Sequence, residues 1–168
     1  MKILVFSDTH GRTEKMRSVI LANKYDAELV IHLGDCFTDV VEIRNDFPEI
    51  AFLGVAGNCD RVFSEDYPFS NSVTLEGTTL FFTHGHQYSV STSLSALVFA
   101  AKSKKASVAL FGHTHVPFYE EQSGIMLFNP GSLERPRDGL PGAYGIITLR
   151  KNEKPVFEIK RVKDGLKE

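Results

Sequence analysis

Five short segments of this chain concentrate residue types that hold divalent metal ions: Asp8-Thr9-His10, Gly34-Asp35, Gly57-Asn58-Cys59-Asp60, Thr83-His84-Gly85-His86 and Gly112-His113-Thr114-His115. Each follows an apolar run that ends abruptly. That arrangement sets carboxylate, amide and imidazole groups at strand tips, where one pocket can collect them. Two divalent ions roughly 3.5–4 Å apart form a recurrent hydrolytic device, and they need a bridging anion with further donors on either side. A carboxylate is the natural bridge. Imidazole suits Zn, Mn, Fe and Ni, whereas all-oxygen sites favour Mg or Ca. The mixed donor set here favours a transition metal over Ca2+. Taken singly, each segment has an ordinary reading: Asp35 after Gly34 and Asn58 after Gly57 are common turns, and Asp8-Thr9-His10 is a loop. Their occurrence together, in order and at strand ends, carries the metal reading.

The elements that must position these residues follow from hydrophobic period. Lys2 to Ser7 is an apolar run rich in β-branched and aromatic residues. It is too short for a signal peptide and ends at Asp8, so it reads as a buried strand. Thr13 to Asn23 carries Met16, Val19 and Ile20 at helical spacing, with Thr13 as N-cap. Glu28 to Leu33 is a second strand. Thr38 to Asp46 is a helix with Val40, Val41 and Ile43 on its apolar face, ended by Phe47-Pro48. Ile50 to Ala56 is a third strand. Helical connections between consecutive strands favour a parallel sheet, and ligands of such sheets bind beyond the carboxyl ends of the strands. Asp8, Asp35 and Asn58 all stand there.

The second half is richer in strands. Ser72 to Leu75 and Thr79 to Thr83 flank a turn signal at Glu76-Gly77-Thr78. Leu94 to Lys105 is a helix, and Val108 to Phe111 a buried strand. Two more hairpins follow, Phe118 to Glu121 with Ile125 to Phe128, and Tyr144 to Leu149 with Val156 to Val162. The second sheet is expected to be mixed or antiparallel, facing the first with helices outside.

Bulk properties exclude several classes. The chain has 168 residues, 42% hydrophobic and 24% charged, which suits one domain spanning 1–168 with a full core. A formal net charge of −2 gives no strong nucleic-acid-binding signal. No stretch approaches the roughly 18 apolar residues of a membrane span. Two cysteines without a CxxC pair make a cytoplasmic location the simplest inference.

The order DTH, GD, GNCD, HGH, GHTH resembles the calcineurin-like metallophosphoesterases. The small size, the form GNCD and Asn129-Pro130-Gly131-Ser132 are similar to the YfcE-type phosphodiesterase branch. The resemblance spans Asp8 to Ser132. It implies an α/β fold, a four-layer α/β-β/α sandwich of two facing mixed β-sheets flanked by helices. It also implies two divalent ions, Mn2+ foremost, with Ni2+, Zn2+, Fe2+ or Mg2+ as alternatives. Asp8, His10 and His115 would hold one ion, and Asn58, His84 and His113 the other. Asp35 would bridge them, and a bridging hydroxide would attack a small phosphodiester. A homodimer is implied by the same resemblance.

Many members carry a histidine at the position of Cys59, where it contacts substrate and is proposed to protonate the leaving group. Here a thiol stands there, and His86 is the candidate to substitute. Arg135 and Arg137 follow the Asn129 to Ser132 loop and could pair with a substrate phosphate, although exposed loop arginines are ordinarily only solvated. His32 reads as a core histidine or one that bonds a metal ligand, and Asp60 as a residue that orients its loop. Cys36 and Cys59 read as inert thiols, or as sites of inhibition by oxidation. A phosphomonoesterase or a nucleotide-pyrophosphate hydrolase could use the same site. A non-catalytic alternative exists in the retromer coat, where a subunit of this fold binds proteins. Its motif positions are altered, whereas here every expected ligand position is filled.

Overall fold

The structure is a computed structural model that describes residues 1–36, 38–60 and 67–162. Strands β1 (Lys2–Phe6), β2 (Ala27–His32) and β3 (Ala51–Gly54) alternate with helices α1 (Glu14–Asn23) and α2 (Thr38–Ile43). Then come β4 (Ser70–Leu75), β5 (Thr78–Thr83), helix α3 (Ser95–Ser103), β6 (Val108–Leu110), β7 (Phe118–Gln122), β8 (Ile125–Asn129), β9 (Ala143–Thr148) and β10 (Val156–Arg161). They form two mixed five-stranded sheets, ordered β10-β9-β1-β2-β3 and β4-β5-β6-β8-β7.

Strand alternation builds the layers. Ile3 and Val5 of β1 point between the sheets, where they meet Leu80, Phe82, Leu110 and Phe128. Leu4 and Phe6 point the other way, onto Met16, Val19 and Ile20 of α1 and Val40 and Ile43 of α2. Phe81, Ala109 and Leu127 leave the second sheet on its outer face and pack on Leu97 and Ala101 of α3. Strands buried on both faces read as continuous apolar runs for this reason. The result is helices, sheet, sheet, helix: the expected four-layer α/β sandwich. Among the described residues, no helix is long and apolar enough to cross a membrane.

Three local expectations change. Thr13 occupies the N-cap position of α1 but makes no capping bond; its hydroxyl donates to Glu42 Oε1 at 3.2 Å instead. Val41 does not join the apolar face of α2, being 36% exposed. The helix is also shorter than read, ending at Ile43 and continuing as a 3-10 turn over Arg44–Asp46. The last hairpin, β9–β10, returns to the first sheet, with β9 antiparallel to β1. β1 is thereby central, paired on its other side with parallel β2, so the chain end that carries Asp8 is held from both sides.

Candidate metal centre

Parallel β1, β2 and β3 end on one rim of the sandwich, and parallel β5, β6 and β8 of the other sheet end beside them. Backbone bonds stitch the loops beyond those ends. Asp8 N–H donates to Gly34 O at 3.1 Å, His10 N–H to Asp35 O at 3.3 Å, and Gly112 N–H to His84 O at 3.0 Å. One donor atom from each of Asp8, His10, Asp35 and His115 lies within 4.8 Å of the others. A second set adjoins it: His84 Nε2 is 3.1 Å from Asn58 Oδ1 and 3.4 Å from Asp35 Oδ1, and the His113 ring stands edge-on to His84 at 5.1 Å. Asp35 touches both sets through different atoms. Oδ1 faces His84, while Oδ2 is 3.9 Å from His10 Nε2.

The donors are aimed before any ion is considered. His84 Nδ1–H donates to Leu33 O at 2.8 Å, and His115 Nδ1–H to Arg135 O at 2.7 Å. Each bond fixes the tautomer and leaves Nε2 with a lone pair directed into the cluster. Asp8 Oδ2 accepts from Ser7 Oγ at 2.6 Å and from His113 N–H at 3.2 Å. Asp8 Oδ1 is buried without a hydrogen-bond partner, although His115 Nε2 is 3.1 Å away. A buried carboxylate oxygen without a donor is costly, and a cation there would offset that cost. The residues present therefore fit a divalent metal.

Protonation follows the same geometry. Burial works to raise the Asp8 pKa, but contact with His115, the electrostatic influence of the His84 ring and the Ser7 bond outweigh it, and the net shift is downward. The contact with Asp8 raises His115 against the effect of burial, so at this nitrogen a proton is the metal's competitor. Burial lowers His10 and His113, which keeps those imidazoles neutral and available.

Backbone strain concentrates here. Of the eleven non-glycine residues with positive φ among the described residues, five belong to the motifs, Asp8 (57°), His10 (50°), Asp35 (58°), His113 (68°) and His115 (60°), and a sixth, Cys36 (82°), directly follows one. Left-handed conformations of such residues cost roughly 1–3 kcal/mol each and persist where the surroundings dictate them, commonly at functional sites. Gly57 allows two of these loops to meet. A Cβ on it would lie 2.2 Å from Asp35 Oδ1 and 2.4 Å from Asp35 N.

A cavity of about 410 Å3 opens over the cluster. His10, Asp35, Asn58, His113 and His115 form its floor, and Cys59 with the Arg135-Pro136-Arg137 segment forms its wall. Cys59 and Arg135, the two residues expected to contact substrate, thus both line this cavity. His86 is not among the lining residues. Its ring lies 5.4 Å from His84 and 6.3 Å from His113, and burial with those two neighbours lowers its pKa.

Comparison with known proteins gives the family. Residues 1–152 match the calcineurin-like phosphoesterase superfamily domain. The chain belongs to that superfamily. It is 30% identical over 167 residues to phosphodiesterase YfcE of Escherichia coli strain K12, covering 88% of this chain and 87% of that protein. A structure from Streptococcus pneumoniae TIGR4, described as a predicted phosphoesterase, superimposes with a TM-score of 0.78 at 28% identity, over 98% of this chain and 94% of that one. Vacuolar Protein Sorting 29 of Cryptosporidium parvum superimposes with a TM-score of 0.80 at 19% identity, over 98% and 92%, a likeness of fold alone. As a calcineurin-like phosphoesterase the chain is a hydrolase of phosphoester bonds.

Further hydrogen bonds hold these loops in place. Asp60 was expected to orient its loop, and it does more: its carboxylate accepts from Asp35 N–H (3.1 Å), Cys36 N–H (2.9 Å) and Gly57 N–H (2.7 Å), clamping two metal loops together. Ser132 Oγ–H donates to Asp8 O at 2.9 Å. Ser7, expected only to end the first strand, is buried and donates to Asp8 Oδ2; a hydroxyl directly before the first carboxylate is the signal for it in the sequence.

His32 bonds no metal ligand side chain. Gly34 N–H donates to its Nδ1 at 3.2 Å, so the ring proton sits on Nε2, which donates to Thr9 Oγ1 at 2.9 Å. The ring braces the residue between two ligands. Complete burial lowers its pKa to about 4. An unfolded histidine takes its proton near pH 6.5, so between about 6.5 and 4 the unfolded chain binds the extra proton. Stability of the metal-free protein is expected to fall as pH drops through that window, by about 3 kcal/mol from this group. Urea unfolding of wild type and His32→Gln across the window measures it; equal slopes would contradict it.

The thiols border the centre, Cys59 exposed and Cys36 half-buried, and both are expected to react slowly. Burial, then acidic neighbours, push Cys36 up to about 11; burial, then the bond to Asp35 and nearby carboxylates, push Cys59 there too. Reaction needs the thiolate. Iodoacetamide should label Cys59 of the metal-free protein about 100-fold more slowly than an ordinary free cysteine at pH 7.5. Labelling at the ordinary rate would contradict the assignment and restore oxidation as a route to inhibition.

Proposed function

We propose that this domain is a metal-dependent phosphodiesterase with two ion positions. Asp8, His10 and His115 would hold one ion, Asn58, His84 and His113 the other, with Asp35 shared. The observation that carries the reading is Asp35, whose two carboxylate oxygens face the two donor sets separately. The carboxylate, amide and imidazole mixture favours Mn2+ or a similar borderline ion over Ca2+. Bound there, such ions supply Lewis acidity toward phosphoryl oxygens and a water that is acidic near neutral pH.

The chain's own groups do the rest. Asn58 offers its amide oxygen to the centre and stands exposed at the cavity floor beside the substrate. Arg135, on the wall, offers a charge-assisted donor to an anionic group of the substrate. His86 stands beside His84 and His113 outside the cavity lining, with its pKa lowered, and is poorly placed to donate a proton to the leaving group. A protonated Cys59 thiol lies on the same wall.

The test is turnover of bis-p-nitrophenyl phosphate by Mn2+-loaded wild type and His115→Ala. Turnover that depends on added metal and is lost in the variant supports the reading. No bound metal and no turnover would favour a scaffold role, which the likeness to Vacuolar Protein Sorting 29, being one of fold alone, does not decide.

A further inference from the structure

The wall of the cavity carries more positive charge than one phosphodiester uses. Arg135 and Arg137 both line it, and both side chains are exposed. Neither forms an ion pair with an acidic residue among the described residues, whereas Arg17, Arg150 and Arg161 do. Their backbone, by contrast, is fastened to the metal ligands. Arg135 O accepts His115 Nδ1–H at 2.7 Å, and Arg137 N–H donates to His115 O at 3.1 Å. Arg135 N–H donates to Ser132 Oγ at 2.8 Å, and that hydroxyl donates to Asp8 O at 2.9 Å. The segment is therefore registered to the metal cluster, while two guanidinium groups remain uncommitted above it.

A scissile diester brings one negative charge, and the ions of the proposed centre face that charge directly. A guanidinium presents a planar fork of donors that matches phosphate or carboxylate, and it holds its charge at every working pH. Two such forks on one wall of a cavity of about 410 Å3 are poorly explained by a substrate with no other anion. We infer that the substrate is a small phosphodiester bearing a second anionic group, a phosphate or carboxylate on one ester arm, which Arg137 holds with Arg135 while the scissile phosphate sits over the metal ligands. This rests on the phosphodiesterase reading above.

The experiment uses two pairs of chromogenic diesters with the Mn2+-loaded enzyme. Thymidine 5′-(p-nitrophenyl phosphate) is compared with its 3′-phosphorylated counterpart, and p-nitrophenyl phenyl phosphate with its 4-carboxyphenyl counterpart. The first pair reads a phosphate, the second a carboxylate. Wild type is expected to prefer the more anionic member of at least one pair by tenfold or more in kcat/KM, chiefly through KM. Arg135→Gln/Arg137→Gln should bring that ratio close to one. Both side chains are exposed, so the substitution leaves the packed interior intact. Turnover with no preference in either pair, or a preference that survives the double substitution, overturns the inference and leaves the phosphodiesterase reading standing. Failure to cleave any of the four overturns both.

Discussion

Asp35→Asn is expected to lower kcat/KM on bis-p-nitrophenyl phosphate by roughly 10³–10⁵-fold, the several kcal/mol that metal-assisted charge stabilisation supplies. The variant keeps the shape of the side chain, so the fold should survive. Its effect on the two donor sets should be unequal. Asp35 Oδ1 accepts Cys59 N–H at 2.9 Å. The asparagine oxygen must take that place, because an amide nitrogen there would set donor against donor. Its NH2 group then replaces Oδ2, the oxygen facing His10. The position formed by Asp8, His10 and His115 should lose metal first. Metal titration followed by elemental analysis checks this, and full occupancy of both positions in the variant would show that Asp35 is no bridge.

Gly57→Ala should produce a comparable failure without removing any donor. The added methyl would lie 2.4 Å from the backbone nitrogen of Asp35 and 2.2 Å from its Oδ1. The nitrogen is backbone, and Oδ1, although a side-chain tip, is held by Cys59 N–H at 2.9 Å. Gly57 N–H is itself held by Asp60 at 2.7 Å, so the loop cannot simply swing away. The two loops must part, and displacement of about 1 Å at a catalytic centre can cost 10²-fold in rate. Loss of at least 100-fold in kcat/KM is expected, with weaker metal binding and about 1–3 kcal/mol of overpacking in the unfolding free energy. Activity within threefold of wild type, with the fold verified by circular dichroism, would show that the close approach of the two loops is unnecessary.

The contrast between these two positions shows what was readable in advance. Asp35 is legible because its residue type follows an apolar run and a glycine, and the run is apolar because β2 is covered on both faces. The same pattern placed Asp8, Asn58, His84, His113 and His115 at strand ends. It also gave the helices through Met16, Val19 and Ile20 and through Leu97 and Ala101. What stayed hidden depends on contacts between distant segments. Nothing in Ala143–Thr148 distinguishes pairing with β1 from pairing inside the second sheet. Thr13 has the residue type of a cap, and only the nearby Glu42 explains why its hydroxyl turns elsewhere. The left-handed φ values of Asp8, His10 and His115 are likewise imposed by neighbours. Arg135 and Arg137 read as solvated loop residues until the bonds from their backbone to His115 are seen.

The central claim is that Asp35 stands between two ions. The direct measurement is diffraction from Mn2+-soaked crystals collected at the manganese edge. The account predicts two anomalous peaks about 3.5–4 Å apart, one on each side of the Asp35 carboxylate. One should be ringed by Asp8, His10 and His115, the other by Asn58, His84 and His113. A single peak at full metal saturation, or two peaks that do not share Asp35, would contradict it.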